Sequence, residues 1–159
     1  MRLPLPAFPA GLLLSVTVLL SAACTDDATP PPAAQRTGCG SPVETGPLPE
    51  WARGGFSGDS SMPHVLGDKD EVVAAMFGHP LAVTRPDGSS NKILWVSKSS
   101  TAPGDLLIDA TLDGTTTPVR RHVTGGPGPS VIDLPQHGCW HLTLTWPAHT
   151  DTMDLVYAP

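Results

Sequence analysis

The second half of the chain alternates apolar and polar residues with a period of two. Residues 138–146 (GCWHLTLTW) put Trp140, Leu142, Leu144 and Trp146 on one face and Cys139, His141, Thr143 and Thr145 on the other. That is the pattern of a half-buried β-strand. Residues 106–112 repeat it, with Leu106, Ile108, Ala110 and Leu112 against Leu107, Asp109 and Thr111. Residues 118–124 set Val119 and Val123 against Arg120 and His122, and residues 152–158 point Met153, Leu155 and Tyr157 inward. Residues 92–98 (KILWVSK) are rich in β-formers, and 130–134 add another short run.

Turn chemistry separates these runs. Arg85-Pro86-Asp87-Gly88-Ser89, Asp113-Gly114 and Gly125-Gly126-Pro127-Gly128-Pro129 each combine residues that preset or permit turn dihedrals. Residues 147–151 read as the loop of a closing hairpin, and 81–84 as a strand fragment. Residues 71–77 (EVVAAMF) are ambiguous in pattern. Asp68 and Glu71 have capping-box spacing for a turn of helix, whereas the paired valines and the stop at Gly78-His79-Pro80 favour a strand. About seven strands at short spacing predict an all-β domain, an immunoglobulin-like or related Greek-key β-sandwich, with a cupredoxin-like sandwich as the rival. The immunoglobulin order Cys…Trp…Cys is absent.

The first part of the chain is different. Residues 11–23 (GLLLSVTVLLSAA) form an apolar stretch of secretory-signal length, shorter than the roughly 20 residues that span a bilayer. Residues 1–23 are therefore expected to be a signal peptide. Residues 24–63 contain Pro30-Pro31-Pro32, many glycines, and few large apolar side chains besides Val43, Leu48, Trp51 and Phe56. Such composition predicts a spacer that buries too little surface to offset its ordering entropy, although Trp51 and Phe56 are candidates for docking on the domain. The sandwich is expected over 64–159.

Leu20-Ser21-Ala22-Ala23-Cys24 resembles the lipobox of bacterial lipoproteins, with Ser21 where a large apolar residue usually stands. The resemblance implies a lipidated Cys24 and a protein held on the outer face of the cell membrane. Each buried CH₂ contributes about 0.8 kcal/mol, so two or three acyl chains make a nearly permanent anchor. Residues 138–159 (GCWHLTLTWPAHTDTMDLVYAP), together with 92–96, also resemble small secreted bacterial lipoproteins that carry a Gly-Cys-Trp strand near the C-terminus. That likeness implies an extracytoplasmic domain and brings no activity with it.

With Cys24 lipidated, an even pair of cysteines remains, Cys39 and Cys139. An extracytoplasmic compartment permits disulfides, so these two are expected to pair. The closed loop has about 100 residues, for which chain entropy gives at most roughly 4.7 kcal/mol. Because Cys139 is on the polar face, the bridge is expected to clip the N-terminal segment over the outside of the sheet.

Charge and composition narrow the function. The net charge is −6, and only Arg120-Arg121 are adjacent among nine Lys+Arg, which argues against a nucleic-acid surface. The length excludes a TIM barrel. His137, Cys139 and His141 share a strand face and form a candidate copper or zinc set, with His149 and Met153 as further nominees. Same-face neighbours are about 6.5–7 Å apart, so three ligands from one strand converge poorly on one ion. Gly58-Asp59-Ser60 resembles hydrolase motifs but precedes the domain and lacks their context. Residues 149–154 offer oxygen donors without EF-hand spacing. The expectation is a non-catalytic protein without a cofactor, contacting the membrane through its anchor and an envelope protein or glycan through its loops or edges.

Overall fold

A computed structural model describes residues 39–99 and 102–159. The expected signal peptide, Cys24 and residues 25–38 of the spacer lie outside the described residues. Nine strands follow in chain order: β1 His64–Leu66, β2 Val72–Met76, β3 Leu81–Ala82, β4 Lys92–Ser97, β5 Leu106–Leu112, β6 Val119–Val123, β7 Pro129–Val131, β8 Gly138–Trp146 and β9 His149–Ala158. They make two sheets, β1-β2-β4-β7 and β3-β9-β8-β5-β6. All pairings are antiparallel except β3 with β9. The protein is an all-β sandwich.

The alternating runs became strands whose apolar faces meet. Trp140, Leu142, Leu144 and Trp146 from β8, Met153, Leu155 and Tyr157 from β9, and Leu106, Ile108 and Ala110 from β5 pack against Val72, Ala74, Met76, Ile93 and Trp95 of the other sheet. Residues 71–77 contain β2, a strand and not a helix. Their lack of alternation has a physical cause. Val72, Ala74 and Met76 face the main core, while Val73 and Ala75 face a second cluster with Leu48 and Ala52. A strand covered on both sides is apolar on both sides.

That second cluster corrects the spacer expected over 24–63. From Cys39 onward the segment belongs to the same compact unit as the strands. Glu44 and Pro47 bridge to His64 and Ser61 beside β1, and a 3₁₀ turn, Glu50–Ala52, lies over the outer face of β2. Leu48 and Ala52 are fully buried there, with Trp51 and Phe56 packed at the margin. Two further differences are small. The expected loop at 147–151 contracts to Pro147-Ala148, because Trp146 already pairs with His149. Ala148 takes the left-handed φ of 64° that the turn requires. The strand β1, of only three residues, is too short to show a period.

Three core indoles differ in their polar ends. Trp95 Nε1 donates to Ser130 Oγ at 3.0 Å, and Trp140 Nε1 to Gln136 O at 2.9 Å. Trp146 Nε1 is buried with no partner. Phenylalanine at 95 or 140 gives up a hydrogen bond that Trp146 does not make, so Trp95→Phe and Trp140→Phe should each destabilise by about 1 kcal/mol more than Trp146→Phe. Urea unfolding of the three variants checks this.

Tyr157 is the one tyrosine of the chain. Its hydroxyl donates to Ile132 O at 2.5 Å. Burial, with Asp133 adding to it, pushes its pKa well above the ordinary 10.0. A folded pKa raised above the unfolded one means full stability below pH 10.0 and loss as pH climbs from there. Ultraviolet titration should show no tyrosinate at pH 10.0, where a free tyrosine is half ionised, and its later appearance should coincide with unfolding.

Candidate functional site

The chemistry-bearing side chains gather on the outward face of the five-stranded sheet, where β8 and β9 pair. Period-two geometry turns Cys139 and His141 of β8 outward, and register places Asp154 of β9 directly opposite His141. Cys139 is bonded to Cys39 with Cα atoms 5.4 Å apart. The bridge therefore closes over the outside of the sheet, as expected from the polar face that Cys139 occupies, and carries residues 39–41 across β9.

Asp154 is the centre of this arrangement. Its side chain faces outward yet is only 4% exposed. One oxygen, Oδ2, accepts from Gly40 N at 2.7 Å, and the other, Oδ1, accepts from His141 Nδ1 at 2.7 Å. Its backbone N–H donates to Ser41 Oγ at 2.8 Å. A carboxylate taken out of water needs such partners, because an unpaired buried charge costs several kcal/mol. The other ring nitrogen of His141, Nε2, lies 3.6 Å from Asp113 Oδ1. Asp113 is held in turn by its own N–H donating to Cys139 O at 2.8 Å. The imidazole thus sits between two carboxylates, one buried and one half exposed.

The residues singled out from sequence separate here. His137 is exposed at the start of β8 and lies outside the cluster, so the set His137, Cys139 and His141 does not assemble. The residue that replaces His137 is Asp154: ligand atoms of Cys139, His141 and Asp154 lie within 4.8 Å of one another. In the bridged state, however, the Cys139 sulfur is spent in the disulfide. Reading along one strand misses Asp154 and Asp113, because both come from neighbouring chain segments. The signal available was the hairpin itself, which sets 141 against 154 once its turn is known.

The other candidates have structural occupations. Ser60 is 6% exposed. Hydrogen bonds from Ser61 hold the Asp59 carboxyl below its usual range, as its Oδ1 accepts from Ser61 N at 2.9 Å. Among the acids of 149–154, Asp151 points inward and accepts from the N–H groups of Lys69, Glu71 and Thr152 at 2.7–3.0 Å. It fastens the β1–β2 turn to β9. Gly67 is required there, since a Cβ would stand 2.1 Å from Asp151 Oδ2. His149 stacks on Trp146 at 5.4 Å.

A separate feature is an apolar groove of about 250 Å³ beside the edge strand β7, lined by Phe77, Lys92, Ile93, Pro129, Ser130 and Val131. Phe77 is 58% and Val131 49% exposed. No helix among the described residues is long and apolar enough to cross a membrane. In comparison with known protein families, curated proteins and solved structures, the chain matches none.

The two carboxylates around His141 differ in burial, which separates their effects. Asp154→Ala strands the Gly40 N–H and the His141 ring and should cost about 2–3 kcal/mol. Asp113→Ala removes a half-exposed partner and should stay within about 0.5 kcal/mol. Thermal or urea unfolding of both variants measures the difference.

Proposed function

We propose that this chain is a membrane-anchored extracytoplasmic lipoprotein, acylated at Cys24, whose β-sandwich has a non-catalytic interaction or structural role at the cell envelope. The observation that carries the reading is the Cys39–Cys139 disulfide. Such bonds persist in oxidising compartments and are rare in the cytosol. It begins shortly after a cysteine in a lipobox-like setting, behind an apolar stretch of signal length.

Absence of catalysis is inferred from how the reactive groups are used. Both ring nitrogens of His141 face carboxylates. Ser60 is buried, and the carboxylate of its neighbour Asp59 accepts from the main-chain N–H of Ser61. The contact surface we favour is the groove at β7, where Phe77 and Val131 remain exposed beside a short strand edge. Exposed apolar patches and sheet edges are common docking features. We read the sandwich as immunoglobulin-like, with the chain passing repeatedly from one sheet to the other.

The anchor is tested by expressing the full chain and Cys24→Ala in a bacterium and following both by detergent-phase partitioning. The wild type should enter the detergent phase and yield an acylated N-terminal Cys24 by mass spectrometry. Cys24→Ala should lose the lipid and leave the detergent phase. A wild-type protein found unacylated in the cytosol contradicts the proposal.

A further inference from the structure

We propose that reduction of the Cys39–Cys139 bridge creates a divalent-metal site of the zinc class, with Cys39 and Cys139 thiolates, His141 Nδ1 and the Asp154 carboxylate as its four ligands. The proposal goes beyond the anchoring role and does not rest on it. Its first basis is distance. Ligand atoms of Cys139, His141 and Asp154 already lie within 4.8 Å of one another. The Cys39 sulfur is outside that group but is bonded to the Cys139 sulfur, so rotation of its side chain can bring it to the fourth position. In a tetrahedral zinc site with bonds of about 2.0–2.3 Å, ligand atoms stand roughly 3.3–3.8 Å apart. Once the S–S bond is broken, the sulfurs need to separate by only about 2 Å, within reach of side-chain rotation.

The second basis is the surrounding shell. Among the groups placed here, Nδ1 is the ring nitrogen that faces Asp154, so it is the one able to share an ion with that carboxylate. The opposite nitrogen, Nε2, then keeps its proton toward Asp113, 3.6 Å away. A carboxylate behind a ligating imidazole is the arrangement that orients histidines at zinc sites. Asp154 is likewise pre-positioned, by Gly40 N–H on Oδ2. The ligand that sequence alone nominated, His137, is not needed.

Opening the site requires a two-electron reductant. A phosphine takes an oxygen atom from water and becomes the phosphine oxide, while the two sulfurs gain two electrons and two protons and become thiols. In the cell a dithiol would deliver the same electrons by exchange, leaving as its own disulfide. Metal binding then releases the two thiol protons, while the neutral imidazole coordinates through Nδ1 with its one proton on Nε2. Two thiolates, one carboxylate and a neutral imidazole around a divalent ion leave a local charge of −1. In the oxidised protein the sulfurs carry no charge, and the site is switched off.

The test uses the full chain carrying Cys24→Ala, so that only Cys39 and Cys139 report as thiols. Cobalt(II) is titrated into the protein before and after phosphine reduction. The expected result is a thiolate-to-cobalt charge-transfer band with tetrahedral d–d absorption in the reduced protein alone, saturating at one equivalent and displaced by zinc. His141→Ala and Asp154→Asn should each weaken binding by about tenfold or more. Near-ultraviolet circular dichroism follows the fold throughout. Should reduction unfold the chain, zinc must restore the folded signal, since metal affinity is then folding energy. The proposal is overturned by a folded reduced protein without the band, by an unfolded one that zinc does not rescue, by equal binding in the oxidised protein, or by affinities that neither substitution changes.

Discussion

The structure depends on holding one carboxylate in a place that a sheet does not naturally protect. Asp154 lies on the outward side of β9, where side chains ordinarily meet water, and yet is buried. It is covered because the Cys39–Cys139 bridge draws residues 39–41 across the strand, and they bring the N–H of Gly40 and the hydroxyl of Ser41 to it. Bond and hydrogen bonds support each other. The disulfide limits the chain entropy that would pull the cover away, and the carboxylate fixes where the cover lies. A buried charge adds little net stability but fixes position; here it aligns the N-terminal segment on the outward face of the sheet.

Consequences run from that face to the opposite sheet. After Ser41 the segment reaches Glu44, which bridges to His64 of β1, and then Leu48 and Ala52, which cover the outer face of β2. The sandwich thereby gains a partial third layer over one sheet. On the other side, Asp151 ties the β1–β2 turn to β9 through three N–H groups. Both aspartates of the closing hairpin therefore fasten the two sheets' connections, one from inside and one from outside. The exposed apolar groove at β7 lies apart from these fastenings, lined by its own set of residues.

Much of the sandwich was legible because alternation is a direct image of a two-faced strand. Residues 106–112 and 138–146 coincide with β5 and β8 to the residue, and the polar face of Cys139 was enough to place the bridge outside the core. What was not legible has definite causes. Residues 39–63 look too poor in apolar side chains to fold alone, and they do not fold alone: Leu48 and Ala52 find their surface on Val73 and Ala75, far along the chain. The same contact hides the alternation of β2. The grouping of Asp154 and Asp113 around His141 depends on strand register and turn position, which no single run of residues encodes.

Residues from Cys39 onward are part of the folded domain, clipped by the bridge and by Asp154. Hydrogen exchange read by mass spectrometry on the oxidised protein tests this most directly. Amides of Gly40, Glu44, Leu48 and Ala52 should exchange far more slowly than in a free peptide, and reduction without metal or Asp154→Ala should speed them before β8 is affected. Free-peptide exchange at these positions with the disulfide intact would contradict it.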